Sequence, residues 1–208
     1  MQAMQAPPAT DQPPHRRSLR RPLRTLRTLC LPLLAAAAVA SALAAPAGVA
    51  AYACVQGRAA YLLAYDPAPG RQAWGHLGGR AERGETGAQT ALREFLEESN
   101  CAFALPPDAT AWLIGPSVAA GNGFQTFVLQ VPFVPASTIA APRPCQQVER
   151  NQWVWVEHAV LHAALETGAR DLAVQDGALP QVHLWPPARA SLAQARTEGV
   201  LPATDPCR

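Results

Sequence analysis

The chain has 208 residues, 49% hydrophobic and 15% charged, enough for one domain with its own core; collagen, coiled-coil and fully disordered classes are excluded. All 17 basic residues are arginine, which excludes a catalytic lysine and a lysine-dependent phosphate loop, while 43 Ala and 21 Pro read as the codon bias of a GC-rich genome. The net charge of +2 averages two unlike pieces, +5 over residues 1–44 and −3 over 45–208, so the larger piece indicates no basic nucleic-acid surface.

Residues 1–14 are polar and Pro-rich and carry no fold. Six arginines from Arg16 to Arg27 then precede an uncharged run, Thr28 to Gly57, with its apolar heart at Leu29 to Ala45. Ser41-Ala42-Leu43-Ala44 supplies small residues where a signal peptidase cuts, so residues 1–44 read as a secretory leader and the mature chain as starting near Ala45. Arg16-Arg17-Ser18-Leu19 resembles a twin-arginine signal, with Arg20 where an apolar residue is usual; general secretion is the alternative. An uncleaved anchor is a further reading, weakened by Pro32, Pro46 and the low hydrophobicity of Ala. Each route leaves the domain outside the cytoplasm: periplasmic, secreted, or anchored to the inner membrane and facing the periplasm.

Cys30 falls in the leader, and Cys54, Cys101, Cys145 and Cys207 remain. In an oxidising compartment four cysteines suggest two disulfides, with three connectivities open; the alternative is four buried thiols. Their spacing is too wide for a zinc site.

Tyr52–Val55 and Ala59–Tyr65 are predicted strands around a Gln56-Gly57-Arg58 turn, followed by a loop at 66–70 and a Gly-rich loop from Gly75 to Gly87. Periodicity predicts a helix over Ala88–Ser99. Ala111–Gly115 and Phe124–Val134 read as strands, 135–144 as a Pro-rich connection, Trp153–Val156 as a strand, and His158–Glu166 and Ala188–Glu198 as helices. A Pro-rich C-terminal extension is expected after about residue 168. The order implies one mixed α/β domain over 45–208 with a mixed sheet. His158 and His162, four apart on one helix face, read as structural.

The helix at 88–99 carries the chemistry. Ala88, Leu92, Phe95, Leu96 and Ser99 fall on one side; Glu94, Glu97 and Glu98 fall within an arc of about 100° on the other. Three carboxylates that close repel one another, and a hard divalent cation such as Mg²⁺ relieves this while keeping room for water and phosphate. Glycines upstream, including Gly75, Gly78, Gly79, Gly84 and Gly87, let backbone approach a ligand. Together these point to metal-assisted attack on a phosphoanhydride; the alternative for the helix alone is a solvated acidic face.

The segment Gly79–Cys101, GRAERGETGAQTALREFLEESNC, resembles the signature box of the Nudix hydrolases: Gly, five residues, Glu, seven residues, then Arg-Glu-U-x-Glu-Glu-x-Gly-U with U apolar. Gly79, Glu85, Arg93, Glu94, Phe95, Glu97, Glu98 and Cys101 match, while Asn100 stands where the family has Gly. Asn is the next most tolerant residue of the left-handed conformation a Gly takes there. Trp74-Gly75-His76-Leu77-Gly78-Gly79 resembles the family's run into the box. The resemblance implies an α/β/α sandwich with a mixed sheet and hydrolysis of nucleoside-diphosphate-linked or other small diphosphate substrates by metal-bound water. It implies Glu94, Glu97, Glu98 and the Gly78 carbonyl as ligands of Mg²⁺ (or Mn²⁺), and a loop-orienting salt bridge between Arg93 and Glu85. Gly78, Gly79 and His76 are the phosphate-loop candidates, and Glu98, Glu97 and, outside the box, Glu149 the candidate bases. Trp112, Phe124 and Tyr61 are candidate base-stacking rings or core residues. An exported ligand-binding module without turnover is the alternative function.

Overall fold

A strand hairpin opens the domain: β1 (Ala47–Val55) runs into β2 (Arg58–Asp66) through Gln56 and Gly57, both at positive φ (51° and 76°). Two consecutive left-handed residues are what a two-residue hairpin needs to match strand twist, and the register pairs Tyr52 with Tyr61 and Val55 with Arg58. The computed structural model describes residues 45–142, 149–174 and 182–208; the proposed leader with Cys30, and also Cys145, lie outside the described residues. Among the described residues no helix is long and apolar enough to cross a membrane.

After the hairpin come β3 (Ala73–Gly75), β4 (Leu77–Gly79), helix α1 (Gly87–Glu98), a 3₁₀ turn at Ala109–Trp112, β5 (Ile114–Val118) and β6 (Gln125–Gln130). The chain closes with α2 (Ala136–Ile139), β7 (Gln152–Glu157), α3 (His158–Thr167), β8 (Asp171–Leu172), β9 (Val182–His183) and α4 (Pro186–Thr197). The main sheet has the path β3-β2-β1-β6-β5, with β4 also paired to β1 and β7 to β2. It is mixed: β1 lies parallel to β6 and antiparallel to β2 and β4.

Alternation along the strands sends side chains to two cores. On β2, Leu62 and Ala64 join Val49, Ala91 and Phe95 beneath α1, while Tyr61 and Leu63 join Leu161, Leu165 and Leu192 beneath α3 and α4. The result is the α/β/α sandwich with a mixed sheet. Of the Pro-rich segment after residue 168, the described residues 182–201 pack into it: Leu184, Leu192, Ala195 and Leu201 are fully buried, so α4 is part of the core.

Several boundaries differ from the sequence reading: β6 ends at Gln130, not Val134, and β4 lies inside the stretch read as a Gly-rich loop. β1 begins at Ala47, not Tyr52, because a central strand buried on both faces reads as a plain Ala/Val run without alternation. Ala111 and Trp112 are in a 3₁₀ turn and the strand starts at Ile114, since a short apolar run carries no period that separates the two. The connection from residue 135 contains α2, a single turn after Pro135. Cys54 and Cys207 form a disulfide with Cα atoms 5.5 Å apart, and Cys101 is also disulfide-bonded; free thiols are thereby excluded at these three positions. His158 and His162 stack at 3.9 Å between ring centroids and are buried against the core.

Candidate active site

Thr86 caps α1: the Gln89 N–H donates to Thr86 Oγ1 (3.3 Å) and the Thr86 N–H to Gln89 Oε1 (2.9 Å), a capping box that fixes where the loop ends. The helix packs on β1 and β4, and its buried face is Thr90, Ala91, Glu94, Phe95 and Glu98. Glu94 and Glu98 are therefore no solvated face; they are 8% and 2% exposed and point at the sheet. The β4 glycines make this possible, because a Cβ on Gly79 would overlap the Glu94 carboxylate.

Arg93 gathers three of the carboxylates. Its Nε and Nη2 donate to Glu85 (2.8 and 3.1 Å), and its Nη1 to Glu94 Oε1 (3.1 Å) and Glu97 Oε2 (2.9 Å). Nη2 also reaches the Arg80 carbonyl (2.8 Å), so one planar guanidinium ties the loop to the helix. Its hydrogen bonds hold the Glu85 carboxyl at about 2, against some burial, with the Glu82 N–H and Thr90 hydroxyl adding to the effect. Glu94 is shifted the other way: burial raises it, Arg93 offsets part, and Glu97 and Glu149 add repulsion.

Glu98 belongs to a second network. Its Oε2 accepts the Gly78 N–H (2.7 Å), its Oε1 is paired with Arg150 Nη2, and its backbone carbonyl accepts the Trp153 indole N–H (2.7 Å). Burial pushes its carboxyl up to about 7, against the pull of Arg150 and the Gly78 N–H. Arg150 Nη1 lies 2.6 Å from Asp66 Oδ2, which also accepts from Arg71 Nη1 (2.7 Å). Burial works against the ionised Asp66, but the Ala68 N–H and the two arginines hold it below its usual range. Arg71, Asp66 and Arg150 line one side of a cleft that Gly78, Gly79 and His76 also line, and Arg150 links that side to Glu98.

His76 is 7% exposed, edge-on to Phe124 at 5.5 Å, and burial, with Arg150 second, lowers it to about 4. Neither ring nitrogen has a partner among the described residues. Glu149 is exposed at the chain position next to Arg150 and raises Glu94 electrostatically. Of the candidate stacking rings, Phe124 lines the cleft, Tyr61 is core at 1% exposure, and Trp112 lies half-exposed beside a separate hollow. Asn100 takes φ +54°, and its Nδ2 donates to the carbonyls of Ile139 (3.0 Å) and Ala141 (2.8 Å).

The sequence reading missed Arg150, Asp66, Arg71 and Trp185. Arg150 sits one residue from Glu149, but nothing local marks it; its partners are 84 and 52 residues away in the chain.

Among the described residues no three His, Cys, Asp or Glu side chains are gathered on one point as ligands; Arg93 pairs with Glu94 and Glu97, and Arg150 with Glu98. The donor chemistry nonetheless fits a hard cation. Glu94 and Glu98 are buried carboxylates beside the backbone of Gly79 and Gly78, and Glu97 shares the Arg93 guanidinium with Glu94, an oxygen-donor set of the kind a hard divalent ion takes.

Box helix, glycine strand and sandwich together define a hydrolase of the Nudix class, of pyrophosphatase type. The Nudix domain model matches residues 45–175, and the chain belongs to the Nudix family. Solved structures similar to it include RenU, a Nudix hydrolase from M. smegmatis (18% identity, 74% of this chain and 85% of that one, TM-score 0.41). A Nudix hydrolase from Nitrosomonas europaea is similar at 19% identity, covering 74% and 90%, with TM-score 0.41. The C. elegans Ap4A hydrolase binary complex is similar at 20% identity, covering 58% and 83%, with TM-score 0.38. No curated protein matches the sequence.

Proposed function

We propose that this protein is an exported, divalent-metal-dependent hydrolase of small molecules that carry a diphosphate, nucleoside-diphosphate-linked compounds above all, with Mg²⁺ as the metal and Mn²⁺ as a substitute. The observation that carries the reading is the pair of buried box carboxylates, Glu94 and Glu98, set beside the backbone of Gly79 and Gly78 on β4. Glu94, Glu97, Glu98 and the Gly78 carbonyl would hold the ion, which when bound supplies Lewis-acid polarisation at phosphorus.

The chain's own residues do the rest. Arg93 and Glu85 lock the loop to the helix, so the donors are positioned before substrate arrives. Water attacks phosphorus, the P–O bond to the leaving phosphate breaks, and the water's proton passes to a carboxylate. Glu98, with a proton affinity near neutrality, is the first candidate; Glu97 and Glu149 follow. Arg71 and Arg150 line the cleft as cations for phosphate oxygens, a task that no lysine shares.

The test is turnover of a diphosphate panel by the purified full chain with Mg²⁺. Activity that disappears on chelation and falls at least about 100-fold in Glu98→Gln supports the reading. Ligand binding without turnover is the result expected of a binding module and overturns it.

Export is supported by the leader's layout and by the Cys54–Cys207 disulfide, which persists in oxidising compartments. Periplasmic protein whose first residue is near Ala45 is the expected finding; retention of Met1 in a soluble cytosolic chain would overturn it.

A further inference from the structure

The family-matched segment ends at residue 175, yet the cleft beside the glutamate box is not walled by that segment alone. Trp185, Pro187 and Ala188, at the start of α4, line the same cleft of about 380 Å³ as His76, Phe124 and Arg150. This wall is fixed in place. The Trp185 N–H donates to the Trp74 carbonyl (2.8 Å), Leu184 is fully buried beside it, and Leu192 and Ala195 anchor α4 in the core. Gly75 on β3 lets Ala188 come close, since an added Cβ would sit 3.1 Å from the Ala188 methyl. The Arg71 guanidinium, tied to Asp66, lies 5.3 Å from the centroid of the Trp185 ring.

The lining has a definite chemistry. Two half-buried aromatic rings, Trp185 and Phe124, stand among small apolar side chains and offer contact to a flat apolar surface. Arg71, Arg80 and Arg150 line the same space as cations, and Asn122 adds an amide. A flat ring carried on an anion satisfies both parts, whereas an aliphatic tail leaves the arginines unmet and a sugar leaves the rings uncovered. Gly78 and Gly79 line the same space and stand beside Glu98 and Glu94, so the cleft adjoins the box.

The geometry points to residues 182–208 as a substrate-selecting element, in which Trp185, braced by Arg71 and facing the same cleft as Phe124, forms the subsite for the base of a nucleoside-diphosphate-linked substrate. This assignment rests on the diphosphate-hydrolase reading above. Trp185 is a specificity-determining residue, and the Arg71–Asp66–Arg150–Glu98 chain joins its wall to the box.

The test compares ADP-ribose with 5-phosphoribosyl 1-diphosphate, which has no base, as substrates of the full chain with Mg²⁺. Stacking of one base on an aromatic side chain is worth about 5- to 150-fold in binding. Trp185→Ala is expected to raise KM for ADP-ribose by about tenfold, with little change in kcat and none in the base-free substrate, and Trp185→Phe to recover most of the loss. Equal effects on both substrates, or none on either, overturn the assignment. Calorimetric binding of ADP and of inorganic pyrophosphate supplies a readout free of turnover: selective weakening for ADP supports the subsite, and equal or no weakening overturns it. A wild-type protein that turns over neither substrate defeats the hydrolase reading, while the ADP titration still decides the subsite. If Trp185→Ala does not fold, Trp185→Leu, which keeps apolar bulk without a π face, is read in its place.

Discussion

Arg150 pairs through Nη2 with Glu98 Oε1, while its Nη1 holds Asp66 at 2.6 Å, so one buried guanidinium spans the end of β2 and the last turn of α1. Arg150 is 8% exposed and Glu98 2%. Removing one partner of such a pair strands a buried charge, at a cost of about 3–5 kcal/mol. Arg150→Met is expected to destabilise by about that amount at pH 8, and by less at pH 6, where Glu98 can take a proton. Arg150→Met with Glu98→Gln recovers most of the loss. Urea unfolding at both pH values checks this; a single-variant cost below about 1 kcal/mol shows that the pair stabilises little.

Asn100 meets two demands at once. Its φ of +54° suits Gly, but its amide also donates to the carbonyls of Ile139 and Ala141. Asn100→Gly keeps the backbone conformation and leaves those carbonyls unpaired, an expected loss of about 1–3 kcal/mol. Asn100→Ala adds left-handed strain and is expected to be worse by about 1 kcal/mol. Equal stability of wild type and the Gly variant in urea unfolding counts against the anchoring role.

The Cys54–Cys207 disulfide joins the hairpin end of β1 to the C-terminus across 153 residues. Chain-entropy reasoning puts an upper figure of about 5 kcal/mol on such a closure, and native bridges typically yield about 2–5. Cys207→Ser is expected to lower the stability by that range in non-reducing buffer. Dithiothreitol should affect the variant less than the wild type. An unchanged unfolding midpoint contradicts the prediction.

Burial, with His158 and Arg196 adding to it, lowers His162 from an ordinary 6.5 to about 4. The unfolded chain therefore binds a proton between these values that the folded chain refuses. The resulting stability is fully present above pH 6.5 and is lost as pH falls from 6.5 toward 4. His76 is shifted in the same way, so the slope in this window carries contributions from both. His162→Gln is expected to reduce the slope of unfolding free energy against pH by about one proton. An unaltered slope shows that His162 takes no part.

The box was legible because its chemistry is local. Glu85, Arg93, Glu94, Glu97 and Glu98 lie within 14 residues, and a 3.6-residue period alone sets which of them are neighbours. The same period let the capped helix be read to within one residue at each end. The sandwich class followed from the order of strand and helix patterns. β1 was read short because a two-sided central strand of Ala and Val has no alternation to detect; the span of α4 was legible from its period, but its packing against the sheet was not, because its docking partners lie on distant strands.

By itself, then, the sequence determined the fold class, the glutamate box and the absence of any lysine from the chemistry; these depend on residue type and short spacing. Only the tertiary structure decided which carboxylates are buried. Periodicity placed Glu94 and Glu98 opposite the apolar stripe; the missing side chain of Gly79 admits Glu94 against the sheet, and the Gly78 N–H holds Glu98 there. The cleft was likewise beyond local reading, since Asp66, Arg150 and Trp185 come from three separate parts of the chain and meet only when β2, the segment before β7 and the start of α4 pack together.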